Sequence, residues 1–503
     1  MTRHTSSRAA AASVRPIAAP NVATALAAAR SAQTTWADTP LPKRLATLRG
    51  LRRLIAADPM PWAEELAAGG LRTVAEGLAT EVIPLLDACR FAQRVAPALL
   101  REQRLSTAGR PFWCRGVSVR VRREPLGVVL LIGPGNYPLF LLGVQVVHAI
   151  AAGNAVLVKP PPGGEAPALR LVASLREAGV HPCVVQLLDA DPSSAQQAIE
   201  LGVDKIVLTG GVKTGRRVLH GAAETLTPTT MELSGCDAAW VLGSADLERA
   251  ARCLAFGLTL NSGATCIAPR RVYVDERHAD ALCDKLLRQL AGAEACIVPE
   301  ANRAEAHRLI GQALDAGATL LSPKTGYDPS RGAFPPVVLR VDRGPVELQR
   351  SDLFAPVMTV APVVSEQELL AETRRCPYGL GVSIFGDEHD ALRLARQAPA
   401  GCVTINDIIA PTADPRVPFS GWGQSGFGVT RGSAGLLEMT RLKAVVARRG
   451  AWLPHLDPPR PGLAKLLAGF LTYSHAGTMA GRWRGLRDVA GALREKPSST
   501  DEP

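Results

Sequence analysis

From residue 127 onward, short apolar runs alternate with helical runs at a spacing that few folds accommodate. "GVVLLIG" (127–133) reads as a strand and "PLFLLGVQVVHAIAAG" (138–153) as a buried helix. "AVLVK" (155–159) is a strand, "APALRLVASLREAG" (166–179) an amphipathic helix, and "VVQLL" (184–188) and "KIVLTG" (205–210) are strands. These strands are apolar on both faces. They need helices on either side, which is the signature of a doubly wound α/β fold with a parallel sheet. Such sheets bind ligands at the carboxyl ends of their strands.

A second alternating series begins near residue 239 with "WVLG", followed by a helix over about 246–259 and then "HADALCDKLLRQLAG". "ATLLS", "VMTVAPVV" and "GVSIFG" continue it, so a second α/β domain is expected. The segment before 126 is mostly helical and ends in "VSVRVRRE", a two-residue alternation that suits an exposed hairpin. After residue 449 comes the Pro-rich "LPHLDPPRPG" and then a basic amphipathic stretch.

At 503 residues the chain holds enough material for more than one core. The net charge is +11, but the basic residues are dispersed and only 4% of residues are aromatic, which argues against a nucleic-acid role. Ten cysteines are too scattered for a disulfide framework and form no C-x-x-C pair, so neither a metal site nor an oxidised scaffold is indicated. Reduced thiols in a cytoplasm fit best. Residues 1–20 lack the apolar segment of a secretory signal and read as a disordered basic N-terminus. Pro138 to Ala151 is too short to span a bilayer.

No G-x-G-x-x-G is present. "LTGGVKTG" instead closes a strand and opens a helix, where Gly210 and Gly215 could admit a pyrophosphate at a helix N-terminus. Alone this is equally a plain glycine turn. Taken together, "EPLGVVLLIGPGNYPL", "AAGNAVLVKP", "LTGGVKTG", "MELSG", "NSGATC", "DLFAPV", "PYGL" and "VPFSGWGQSGFG" stand in the order and spacing of the aldehyde dehydrogenase superfamily, which the chain resembles over about residues 40–448.

The resemblance implies a Rossmann-like NAD(P)-binding domain (21–116 and 126–233), a catalytic domain (234–438) and small oligomerisation strands (117–125 and 439–449). A Pro-rich linker and basic tail (450–503) follow. It places Cys266 on the nucleophile, Asn136 on the oxyanion donor and Glu232 on the base that activates water. Lys159 falls on the adenosine-ribose contact, and Asp352 and Phe354 on the nicotinamide-ribose and ring contacts. Substrate positions map to Tyr137, Leu141, Val144, Ile267 and Phe419, all without charge, so an uncharged aliphatic or aromatic aldehyde is expected.

Departures from the family pattern matter. Pro162 stands where an acidic residue often binds the ribose 2′-hydroxyl, leaving NAD and NADP both open. Asp352 is one methylene shorter than the usual Glu, and Ala264 and Gly135 replace the usual Gln and Trp. The expected reaction is oxidation of an aldehyde to an acid in a homodimer or homotetramer. The alternatives are a relative that hands the acyl group to coenzyme A and a non-catalytic protein on the same fold. The tail 462–494 could lie on an anionic membrane surface or cover a neighbouring subunit, with packing on its own domain as the plainer expectation.

Overall fold

A computed structural model describes residues 21–323, 333–342, 344, 346–453, 455–456 and 462–494. The expected N-terminal segment 1–20 and most of the Pro-rich stretch lie outside the described residues. The described chain divides into a larger unit (to Glu102, then Arg122–Lys443) and a smaller one (Gln103–Val121 and from Ala444).

The larger unit contains two extended sheets. The first has six strands in the order Gly426–Phe427, Thr229–Leu233, Lys205–Gly210, Val128–Ile132, Ala155–Lys159 and Val185–Leu187. All neighbours run parallel except Gly426–Phe427, which pairs antiparallel through Gly426 and Glu232. Both faces are dry. Val129 and Leu131 face a cluster built on Leu48, Leu85 and the helix Phe140–Ala152, while Val128, Leu130 and Ile132 face Leu26, Ile199 and Val218. This explains the continuous apolar strands: alternation is lost when helices cover both sides.

The second sheet has seven strands in the order Thr319–Ser322, Val337–Arg340, Val357–Val363, Pro269–Asp275, Asp237–Val241, Gly381–Phe385 and Cys402–Ile405. Only Thr319–Ser322 is antiparallel to its neighbour. Trp240 and Ala238 point to one core, Ala239 and Val241 to another.

In the smaller unit, Gln103–Arg104 pairs antiparallel with the strand beginning at Val117, through Gln103↔Val121 and Arg104↔Arg120. The strands expected over 117–125 and 439–449 are present as Val117–Pro125 and Thr440–Arg448 and share a three-stranded sheet. The tail forms two helices, Leu463–His475 and Met479–Arg494, paired as a hairpin. The chain breaks between the two helices at residues 476–478, which include Gly477. Gly469 and Gly485 lie inside the helices at their point of contact, where a Cβ on Gly469 would come within 2.8 Å of the Val489 backbone nitrogen. Among the described residues no helix is long and apolar enough to cross a membrane.

The first sheet depends on one buried amide. Asn154 follows the helix Phe140–Ala152 and is fully buried. Its Oδ1 accepts from the Leu126 and Gly127 nitrogens at 2.7 and 3.0 Å, and its Nδ2 donates to the Ala149 and Met439 carbonyls. Asn154→Ala removes the side-chain partner of two amides and of the Met439 carbonyl, while the Ala149 carbonyl keeps the Asn154 nitrogen. A loss of about 2–4 kcal/mol is expected, read as a lower urea midpoint at unchanged slope.

Candidate active site

The helix Leu247–Thr259 ends in a turn, Leu260–Gly263, that is not regular helix: Asn261 and Ser262 are left-handed at φ 52° and 55°. Gly263 follows at φ +74°, with the backbone of Ala355 and Pro356 so close that a Cβ would lie 2.5 Å from the Pro356 nitrogen. Only glycine fits there. This turn presents Cys266, half-buried, to a cavity of about 280 Å3.

Glu232 opens on the same cavity from the strand Thr229–Leu233. It is 3% exposed; its Oε2 accepts from the Thr430 hydroxyl and its Oε1 has no partner. Burial raises its pKa, opposed by the Arg431 guanidinium and the Thr430 hydroxyl. Burial also pushes the Cys266 thiol far up, helped by the carboxyls of Glu232 and Asp237 and opposed by Arg431. These surroundings favour the thiol over the thiolate.

Asn136 is tied to the loop carrying Cys266 rather than to the cavity wall. Its Nδ2 donates to the Ala264 carbonyl at 3.0 Å, two residues before Cys266, and its Oδ1 accepts from the Tyr137 nitrogen. One of its two amide hydrogens is committed to Ala264. The Asn136 carbonyl accepts from Asn261 Nδ2 and from Arg72.

That last contact introduces a pair the sequence reading missed. Arg72 and Glu81 form an ion pair, 7% and 0% exposed. A π-turn over Leu78–Val82 carries Glu81, whose Oε2 accepts from the Leu139 and Phe140 nitrogens at 2.7 and 3.0 Å, at the start of the helix after Asn136. Arg72 also lies over the Tyr137 ring at 5.3 Å, and the Tyr137 hydroxyl bonds Thr265 at 2.6 Å. No motif announces Arg72 or Glu81: their contacts with Asn136, Leu139 and Phe140 reach across more than fifty residues.

Arg431 was missed as well. It is 5% exposed in the cavity wall, its guanidinium 4.0 Å from the Phe419 ring centroid, with Nη1 donating to the Thr412 carbonyl at 2.6 Å. Its position after Thr430 in "GFGVTRG" was the one available signal. Of the expected substrate residues, Tyr137, Leu141, Ile267 and Phe419 line the cavity. Val144 does not. It is 3% exposed in the core, because the cavity touches only the first turn of a helix that is buried all round.

A second cavity, of about 1100 Å3, lies at the carboxyl ends of the first sheet's strands. Lys159, only 5% exposed, and Gly210 line it, as do Pro162, Arg216 and Arg217. Gly215 is not on that wall: it is buried in the helix Val212–Thr225, where a Cβ would press on Leu233 at 2.9 Å. Its lack of a side chain serves helix–strand packing. Asp352 is half-buried, hydrogen-bonded by Ser234, and its pKa is raised by burial against the pull of Arg270. Phe354 is half-buried and is not among the residues lining either cavity. The size and the buried cation of the second cavity suit a dinucleotide, with Lys159 and Gly210 as the groups to hold it. Among the described residues no cluster of metal-ligating side chains occurs, and all ten cysteines are free.

Removing one member of the Arg72–Glu81 pair strands the other in the core. Arg72→Met and Glu81→Gln are each expected to cost about 3–5 kcal/mol, and the double variant less than their sum. Denaturation of the wild type and all three variants measures the coupling directly.

The aldehyde dehydrogenase family model matches residues 2–445. A 4,4′-diapolycopene aldehyde oxidase of a Methylomonas species is 31% identical over 435 residues, spanning 82% of this chain and 79% of the relative. The crystal structure of an NAD-dependent aldehyde dehydrogenase from Sinorhizobium meliloti superposes with a TM-score of 0.81 at 27% identity, covering 87% of this chain and 88% of that one. An NADP-dependent glyceraldehyde-3-phosphate dehydrogenase from Bacillus halodurans C-125, complexed with NADP, gives 0.77 at 28% identity, covering 85% and 91%. With a family match across most of its length, and two parallel sheets arranged as in these structures, the chain belongs to the aldehyde dehydrogenase family.

Proposed function

We propose that this chain oxidises an uncharged, apolar aldehyde to its carboxylic acid with NAD or NADP, through a thiohemiacetal and then a thioester on Cys266. The observation that carries the reading is a single small cavity that holds both the Cys266 thiol and a buried carboxylate, Glu232, with an unpartnered oxygen.

The Cys266 sulfur adds to the aldehyde carbon and its proton leaves to solvent, so the Glu232 carboxylate stays free for the later hydrolysis. The resulting oxyanion takes the free amide hydrogen of Asn136 and the backbone N–H of Cys266. A bound NAD(P) supplies the hydride acceptor. The acyl group then remains on sulfur, and water attacks its carbonyl while Glu232 takes the water's proton. The carbon–sulfur bond breaks, the acid leaves and the thiol is restored.

Arg431 does not convert the pocket into an anion receptor. Glu232 offsets its charge, Phe419 covers one face of the guanidinium and Thr412 holds Nη1. With Tyr137, Phe140, Leu141 and Ile267 around it, the wall favours an apolar substrate. In this reading residues 21–116 and 126–233 hold the cofactor, 234–438 carry the nucleophile, and the strands 117–125 and 439–449 pair copies into a homodimer or homotetramer. The enzyme works in the cytoplasm.

The test is rapid mixing of wild type and variants with hexanal, benzaldehyde or succinic semialdehyde, following reduced cofactor. Glu232→Gln should give one burst and then stall, Cys266→Ala should give none, and Asn136→Ala should slow the burst about 10²–10³-fold. Steady turnover only with coenzyme A would assign the acylating reaction instead, and a strong preference for the semialdehyde would refute the apolar pocket.

Deacylation requires ionised Glu232, so turnover should fall as pH drops through its raised pKa. Arg431 lowers that pKa. Arg431→Met should therefore move the acid limb of kcat to higher pH, while the burst persists at alkaline pH.

Pro162 is exposed on the wall of the dinucleotide cavity. Pro162→Glu should raise the KM for NADP about tenfold or more relative to NAD, because a carboxylate repels a 2′-phosphate and bonds a 2′-hydroxyl. Steady-state KM values for both cofactors check this.

A further inference from the structure

The tail hairpin exposes large apolar side chains that its own packing does not use. Its two helices meet through Gly469 and Gly485, so their backbones touch and leave no room for bulky residues between them. The bulky residues turn outward. On the helix Met479–Arg494, Met479, Trp483, Leu486 and Leu493 fall at steps of four, three and seven, which is one row of a 3.6-residue helix. They are 68, 66, 42 and 60% exposed. The helix Leu463–His475 adds Leu467 and Leu471, four residues apart and also exposed.

Charge follows the same geometry. Arg484, Arg487 and Arg494 each come one residue after Trp483, Leu486 and Leu493, about 100° further round the helix. A row of cations therefore runs alongside the apolar row. Arg482 flanks Trp483 on the other side, its Nε donating to the Ala476 carbonyl at 3.2 Å. Residues 462–494 contain Lys465 and these four arginines against the single carboxylate of Asp488.

We propose that this hairpin lies in the plane of an anionic lipid surface, with the row from Met479 to Leu493 at the acyl–headgroup boundary and the arginines on lipid phosphates. The helices have 13 and 16 residues, too short to span a bilayer, so an in-plane position is the one their length permits. Tryptophan and arginine suit that depth, each with an apolar body and a polar end. A second copy of the same hairpin is a poorer occupant, because a two-fold contact over this row would set arginines against arginines.

The experiment is co-sedimentation of the full chain with vesicles of phosphatidylcholine alone or mixed with phosphatidylglycerol, at low and high salt, alongside size-exclusion chromatography. Binding to the anionic vesicles that weakens with salt is expected. The variants Trp483→Asp with Leu486→Asp, and Arg484→Glu with Arg487→Glu, should each weaken binding about tenfold or more, with assembly size and aldehyde turnover in the absence of vesicles unchanged. Absence of binding, equal binding to neutral vesicles, or a smaller assembly on removing Trp483 and Leu486 would overturn the proposal. The last result would mark the row as an interface between copies. Since the readout is vesicle binding, loss of aldehyde activity alone leaves this result intact.

Discussion

The ion pair of Arg72 and Glu81 ties the cavity wall to the nucleophile loop. Glu81 receives the first nitrogens of the helix after Asn136, and Arg72 grips the Asn136 carbonyl and lies over Tyr137. Asn136 in turn holds the Ala264 carbonyl, and Tyr137 holds Thr265, so the residues on either side of the oxyanion position are fixed to the loop carrying Cys266. A buried ion pair is a weak source of net stability, because desolvation cancels much of the attraction. Its value here is geometric. Glu81 takes two backbone nitrogens and Arg72 one backbone carbonyl, which ties the Asn136 loop to both ions.

Around the sulfur, burial and the neighbouring carboxyls act together, and Arg431 opposes them. Glu232 and Asp237 raise the thiol pKa, and Arg431 lowers it. The same Arg431 lowers the pKa of Glu232. One cation therefore moderates both the nucleophile and the base, in a wall where solvent does little screening. Arg431 keeps that position because its charge has two further supports, the Phe419 ring and the Thr412 carbonyl.

Much of the fold was legible in the chain itself. The strands at 128–132, 155–159 and 205–210 fall within one residue of the apolar runs that predicted them, since a strand covered on both faces has nothing polar to blur its limits. Short pieces escaped that logic. Gly426–Phe427 completes the edge of the first sheet from almost two hundred residues downstream of Glu232, and two residues carry no periodicity.

Order along the chain pointed to the family and to Cys266, Glu232 and Asn136 as candidates for its chemistry, because those depend on residue type at fixed spacing. Tertiary structure decided which of the expected residues meet. It withdrew Val144 into the core, turned Gly215 toward Leu233, and brought Arg72, Glu81 and Arg431 to the site from positions without any motif. Helix and strand periods are local and can be read from neighbours in sequence. A buried charge is tolerated only where the folded chain supplies a partner, and that partner is chosen by packing between distant segments.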